Sequence, residues 1–208
     1  MATCGLQMPE RAQQAERAHV EGEGWPTPES SIGHRLPDLL LPNLRVVFVG
    51  TAAGKRSAEL GHYYAGRGNR FWRTLHEVRL TPRRFKPAEF SDLLALGIGL
   101  TDMSKLGAGM DRQIARHEFN RDRLVETIRG YRPRAIAFNG KKAASVWLGR
   151  KRTEAISYGR QPPTLPDFPD VFVLPSTSGA ARSSWSIAPW HALAVWLDRP
   201  QGFTSANR

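Results

Sequence analysis

Cysteine is nearly absent from this chain of 208 residues. Cys4 stands alone, which excludes an intrachain disulfide, a cysteine zinc site and a redox pair. Long apolar runs are missing too: nothing approaches the roughly 18 consecutive apolar residues of a membrane span. Residues 1–24 lack the apolar core of a signal peptide. The histidines, His19, His34, His62, His76, His117 and His191, show neither H-x-x-x-H nor H-E-x-x-H spacing, so no metal site is expected. No G-x-S-x-G elbow exists for a serine hydrolase. Acidic residues are scarce, 19 against 30 Lys and Arg, for a net charge of +11. The imbalance is uneven. Residues 1–40 hold three arginines against six acidic side chains, so the remainder carries 27 basic against 13 acidic groups, a net +14. A compact domain that basic attracts polyanions through its field and through counterion release. The alternative is a solvated basic surface without a partner.

Composition divides the chain into a flexible leader over 1–34, one domain over 35–200 and a loose tail over 201–208. Within the domain, strand and helix signals alternate. Arg45–Val49, Ile98–Thr101, Arg134–Phe138 and Val171–Leu174 read as short buried strands. Helical spacing covers Asn69–Val78, Pro87–Leu96, Arg121–Gly130, Gly140–Leu148 and Ile187–Asp198. The pattern predicts an α/β fold, a three-layer α/β/α sandwich on a short, mainly parallel, four-stranded sheet. In such folds ligands sit beyond the carboxyl ends of the strands. That selects the segments starting at Gly50, Asp102, Asn139 and Pro175, all rich in Gly, Ser, Asn and Asp.

Gly50-Thr51-Ala52-Ala53-Gly54-Lys55-Arg56-Ser57 departs from a nucleotide-triphosphate loop, which needs four residues between its glycines and Ser or Thr after Lys. What remains is a turn whose backbone N–H groups can approach an anion or carbonyl. Gly61-His62-Tyr63-Tyr64-Ala65-Gly66-Arg67-Gly68-Asn69-Arg70-Phe71-Trp72 offers aromatic faces suited to stacking a base. Phe71 and Trp72 are expected in the core, with Tyr64 the ligand contact. Leu174-Pro175-Ser176-Thr177-Ser178-Gly179-Ala180-Ala181-Arg182 suits a phosphate-gripping loop. Asp102 closes Gly97-Ile98-Gly99-Leu100-Thr101-Asp102 at a strand end. The Arg-rich stretches 79–86, 112–134 and 150–160 read as solvated faces, some of them on a nucleic-acid side.

Taken in order, these segments resemble the mismatch-specific uracil/thymine DNA glycosylase family of the uracil-DNA glycosylase superfamily, over roughly residues 44–198. The strand ending in Gly50-Thr-Ala-Ala-Gly54 is similar to the family's Gly-Ile-Asn-Pro-Gly motif. The 61–72 stretch resembles its aromatic loop, Ala137-Phe-Asn-Gly-Lys141 a further family segment, and Leu174-Pro-Ser-Thr-Ser-Gly179 its DNA-wedge loop. The resemblance implies base-excision repair: uracil rotated out of DNA and its N-glycosidic bond hydrolysed by water, leaving an abasic site, with no metal or cofactor. It places Gly50, Thr51 and Ala52 at the reacting end and Tyr64 in the stacking position. Tyr63, Asn69 and Asn139 are expected beside the base, and Lys55, Ser176, Thr177, Ser178, Gly179, Ala180 and Arg182 on the DNA. The expected partner is uracil-containing DNA, single- or double-stranded, bound by a monomer in the cytoplasm, at the nucleoid in a bacterium.

Two departures stand out. The family's water-positioning Asn falls on Ala52, and Ala180 falls where relatives place a Leu or Arg that fills the hole left by the extruded base. Asp102 then either reads the base edge or activates water, with His62 the second candidate for water. Lys55 or Lys141 could in principle form a Schiff base, but water is the expected nucleophile. The rival readings are a nearly inactive binder of damaged or abasic DNA, and a glycosylase for hypoxanthine or another modified base.

Overall fold

The computed structural model describes residues 36–107, 109, 114, 118–163, 165–181 and 185–200. The expected leader and tail, and Arg182, lie outside the described residues. Among the described residues five strands form one sheet: β1 (Val46–Gly50), β2 (Ile98–Asp102), β3 (Ala135–Asn139), β4 (Gly159–Arg160) and β5 (Asp170–Leu174), in the order β2-β1-β3-β5-β4. The first three neighbouring pairs are parallel, and β4 runs antiparallel to β5.

The fold is α/β, helices covering both faces of the sheet. Side chains alternate along β1, so Val46 and Phe48 face one layer and Val47 and Val49 the other. The first layer holds α2 (Phe71–Glu77), a 3-10 helix (Pro87–Leu96) and α5 (Ala188–Leu197), with Phe71, Leu75, Leu93, Trp190 and Leu193 against the sheet. The second holds α3 (Arg121–Tyr131) and α4 (Lys141–Trp147), through Leu124, Ile128, Ala144 and Trp147. Burial on both faces explains why the strands read as continuous apolar runs.

Three elements differ from the sequence reading. Lys55–Leu60, read as part of a turn, is a short helix, α1, closed by Gly61 in the left-handed region (φ 68°). The Pro87–Leu96 segment is 3-10 rather than α, kinked at Glu89, whose carboxylate accepts the Lys86 N–H at 2.6 Å. The sheet gains β4, two residues held by Gln161 N donating to Val171 O at 2.7 Å and by the Arg160–Asp170 ion pair at 2.7 Å. A two-residue strand carries no periodicity to read.

Candidate active site

All four parallel strands deliver their carboxyl ends to one side. Gly50 pairs with Asp102, and Asn139 with Leu174, so the ends lie level across the sheet. The β1–β2 ladder continues past the strands: Met103 N donates to Gly50 O and Ser104 N to Thr51 O, both at 2.9 Å. This holds Thr51, itself buried, and the half-buried Ala52 beside the Asp102 segment.

Asp102 is 3% exposed, and its side chain turns over its neighbour Gly50. A β-carbon at Gly50 would overlap Asp102 Oδ1 and stand 3.5 Å from the Tyr64 hydroxyl. Glycine is therefore required at the end of β1 by close approach of a carboxylate. Tyr64 reaches the same point from the aromatic loop. Its backbone is left-handed (φ 54°), a conformation an L-residue adopts only when its neighbours over-determine it. They do: Tyr63 O accepts the Trp72 indole N–H at 3.2 Å, and Ala65 N donates to buried Ser57 Oγ at 3.0 Å. The Tyr64 ring stacks on Phe71 (centroids 3.8 Å, 24° between planes). Its hydroxyl is buried beside the Asn139 amide. Burial first, and then the Asp102 carboxylate, push its pKa far above the ordinary phenol value, the Asn139 amide opposing.

Asn139, buried at the end of β3, ties the Ser/Thr loop to the sheet. Its Nδ2 donates to Thr177 Oγ1 at 2.8 Å and its Oδ1 accepts Thr177 N–H at 2.9 Å. Gly140 (φ 119°) lets Ser176 pack within 3.2 Å of where a β-carbon would sit. Thr177 O accepts Arg70 N–H at 2.9 Å, joining this loop to the aromatic one. Thr177 thus faces inward and holds the loop, while Ser178 and Ala180 are exposed and Ser176 and Gly179 half-buried.

Below Asp102 lies a buried ionic cluster. Asp38 Oδ1 pairs with Lys105 Nζ at 2.7 Å and its Oδ2 with Arg123 at 3.1 Å. Arg123 also donates to the Asp102 carbonyl oxygen at 2.7 Å, and Lys105 to the Tyr63 hydroxyl at 3.2 Å. Tyr63 in turn donates to Pro37 O at 2.9 Å. One carboxylate thereby braces both arms of the site, Asp102 through Arg123 and the Tyr63–Tyr64 loop through Lys105. Against burial, the Lys105 and Arg123 charges hold the Asp38 carboxyl below the usual carboxylate value.

The structure thus brings Gly50, Asp102, Tyr64 and Asn139 together. It places others elsewhere. Tyr63, 1% exposed, is part of the core rather than a face open to a base, and burial together with Asp102 and Asp38 keeps it a neutral phenol. Asn69 Oδ1 accepts Phe71 N–H at 3.0 Å and so starts α2. The His62 ring packs toward Phe90 of the 3-10 helix, centroids 6.2 Å apart. Lys55 is exposed at the first turn of α1. Arg123, inside a stretch read as solvated, turns inward; so does Arg134, whose guanidinium donates to the Leu197 and Trp196 carbonyls at 2.9 and 3.1 Å. Asp38, Lys105 and Arg123 escape sequence reasoning because they meet only in three dimensions, with no motif among them.

Among the described residues no helix is long and apolar enough to cross a membrane. The solution NMR structure of a candidate uracil DNA glycosylase from Methanosarcina acetivorans is similar in fold: TM-score 0.53 at 23% identity, covering 79% of this chain and 97% of that one. The family model of the uracil DNA glycosylase superfamily matches residues 37–198, a span that holds every strand-end residue described above and also Asp38. The chain belongs to the uracil DNA glycosylase superfamily, a family of DNA glycosylases.

Proposed function

We propose that this protein excises uracil from DNA by hydrolysis, with Asp102 activating the water. The observation that carries the reading is the Asp102 carboxylate lying over Gly50, two residues before Ala52, where the resemblance expects a water-holding Asn. A carboxylate accepts hydrogen bonds and donates none, which suits a water with two O–H groups. It suits uracil less, because that base presents a carbonyl oxygen beside its N3–H. Attack at the anomeric carbon transfers the water's proton to the carboxylate, while the bonding pair leaves with the base. Backbone N–H groups of the Gly50–Gly54 turn then stabilise the charge developing on the uracil oxygen, as an oxyanion hole does. Tyr64, backed by Phe71, supplies the stacking face, and the Ser176–Ala180 loop with Lys55 grips the flanking phosphates.

The test is one labelled oligonucleotide with a single uracil, presented single-stranded, opposite G and opposite A, in EDTA. Strand breakage that appears only after alkali supports a hydrolytic glycosylase. Tight binding to an abasic strand without breakage in any context would support the damage-binding alternative, to which Ala52 points. A hypoxanthine oligonucleotide cut in preference to all three would support the modified-base alternative.

Tyr64→Ala tests the stacking role. Base–aromatic stacking is worth about 1–3 kcal/mol, so the KM for a uracil strand should rise about tenfold with the circular dichroism unchanged. An unaltered KM would remove Tyr64 from the base site.

A further inference from the structure

The loop leaving β2 turns two adjacent side chains in opposite directions. Lys105 is buried against Asp38 and Tyr63, whereas Leu106 is 65% exposed. It is the most exposed large hydrophobic among the described residues, ahead of Val195 and Leu60. A single exposed leucine needs no explanation in general. This one sits on a braced turn. Gly107 N donates to Ser104 Oγ at 3.3 Å, and Gly109 N to Ala53 O at 2.9 Å, so the loop is fastened to the strand-end turn. With Lys105 anchored below, the backbone holds Leu106 outward on the side where the strands end.

The same side is cationic. The helices that follow β1 and β3 begin with Lys55-Arg56 and Lys141-Lys142, and Arg67 is exposed in the aromatic loop. An apolar side chain projecting from a basic surface fits a nucleic-acid duplex, whose backbone meets the charges and whose stacked bases accept an apolar wedge. Across the sheet, among the described residues 176–181 of the opposite loop, the exposed side chains are only Ser178 and Ala180. β2 and β5 are separated by β1 and β3, so their carboxyl ends stand about 14 Å apart, three strand spacings. That spans about four base steps at roughly 3.4 Å each, with the ends of β1 and β3 between them.

We infer that Leu106 is the wedge of this protein: it enters the base stack of duplex DNA beside the extruded nucleotide, from the β2 side, where Ala180 is too small to do so from the β5 side. The inference rests on the reading of the protein as an enzyme that extrudes uracil. Extrusion from a duplex requires unstacking, and a single strand requires little of it. The role therefore predicts a context effect rather than a general loss.

The experiment compares Leu106→Ala with the unaltered protein in single-turnover excision from duplex and single-stranded uracil substrates. A second duplex carries 2-aminopurine next to the uracil, to report unstacking. Losing the apolar contact should slow duplex excision about tenfold, leave single-strand excision within about twofold, and abolish the rise in 2-aminopurine fluorescence. The melting temperature should not move, because Leu106 is exposed. Equal losses on both substrates, or no loss on either, would overturn the inference while leaving the uracil reading intact. If the unaltered protein excises uracil from neither substrate, that reading fails instead. The wedge is then judged on 2-aminopurine beside an abasic site: a rise that the variant lacks supports it, and equal signals overturn it.

Discussion

Asp102→Asn slows single-turnover uracil excision by about 10²- to 10⁴-fold, the range that general-base catalysis contributes. Amide and carboxyl are nearly the same size, and the backbone oxygen of residue 102 keeps its bond to Arg123, so the end of β2 stays in place. The variant therefore folds, and it binds uracil-containing DNA as tightly as the unaltered protein. What it loses is the ability to take a proton from water. A base-reading role makes a different prediction. An amide can donate to the uracil carbonyl as well as accept from N3–H, so the exchange would preserve or improve uracil excision and alter the preference among bases. The decisive measurement is the rate constant with enzyme in excess, on uracil and on cytosine strands. A uracil rate within about threefold of the unaltered protein, well below the general-base contribution, would exclude Asp102 as the base. Because Ala52 offers no polar side chain, little residual rate is expected.

Why Asp102 was legible and its supports were not follows from where each signal lies. Val46–Gly50 and Ala135–Asn139 are buried on both faces, and that burial writes itself as an unbroken apolar run ended by a polar residue or glycine. Strand-end chemistry is therefore visible locally. The adjacent tyrosines 63 and 64 show the opposite situation. Both are aromatic and both flank a glycine-rich turn, yet one is core and the other lies over the strand ends. The choice depends on Trp72, Ser57, Pro37 and Lys105, all distant in sequence or spread around the loop. Asn139 and Thr177 look like free polar groups until the 38-residue separation between them is closed. Arg123 looks like one more surface arginine on an amphipathic helix. Only the tertiary meeting with Asp38, 85 residues away, turns it inward.

That meeting carries the second large effect. Asp38→Asn removes the only negative charge within hydrogen-bonding reach in the described ion pairs of Lys105 and Arg123, whose side chains are 3% and 16% exposed. Removing one partner of a buried pair costs about 3–5 kcal/mol, because the remaining charge stays desolvated. For a chain of this size the melting temperature should fall by on the order of 10 °C. The effect has a pH signature with a definite sign. Burial raises the Asp38 carboxyl, but the Lys105 and Arg123 charges outweigh it, and the folded value lies below the ordinary 3.8. The group therefore binds protons more weakly in the folded state. Its contribution is full above the ordinary carboxylate range and disappears as pH falls through the lowered folded value. The two proteins should differ most near neutral pH and converge on acidification, as read by denaturant unfolding at a series of pH values. Lys105→Met in the same chain supplies the control: by removing one stranded cation it should recover part of the loss, which a mere packing defect at residue 38 could not do. A melting temperature within about 2 °C of the unaltered protein, equivalent to less than about 1 kcal/mol, would show the cluster to be dispensable. Should the loss appear as expected, excision measured well below the melting temperature should fall as well, because Arg123 fixes the Asp102 backbone and Lys105 fixes the tyrosine loop. Stability and chemistry are then coupled through a single carboxylate that holds the cations bracing both Asp102 and the tyrosine loop.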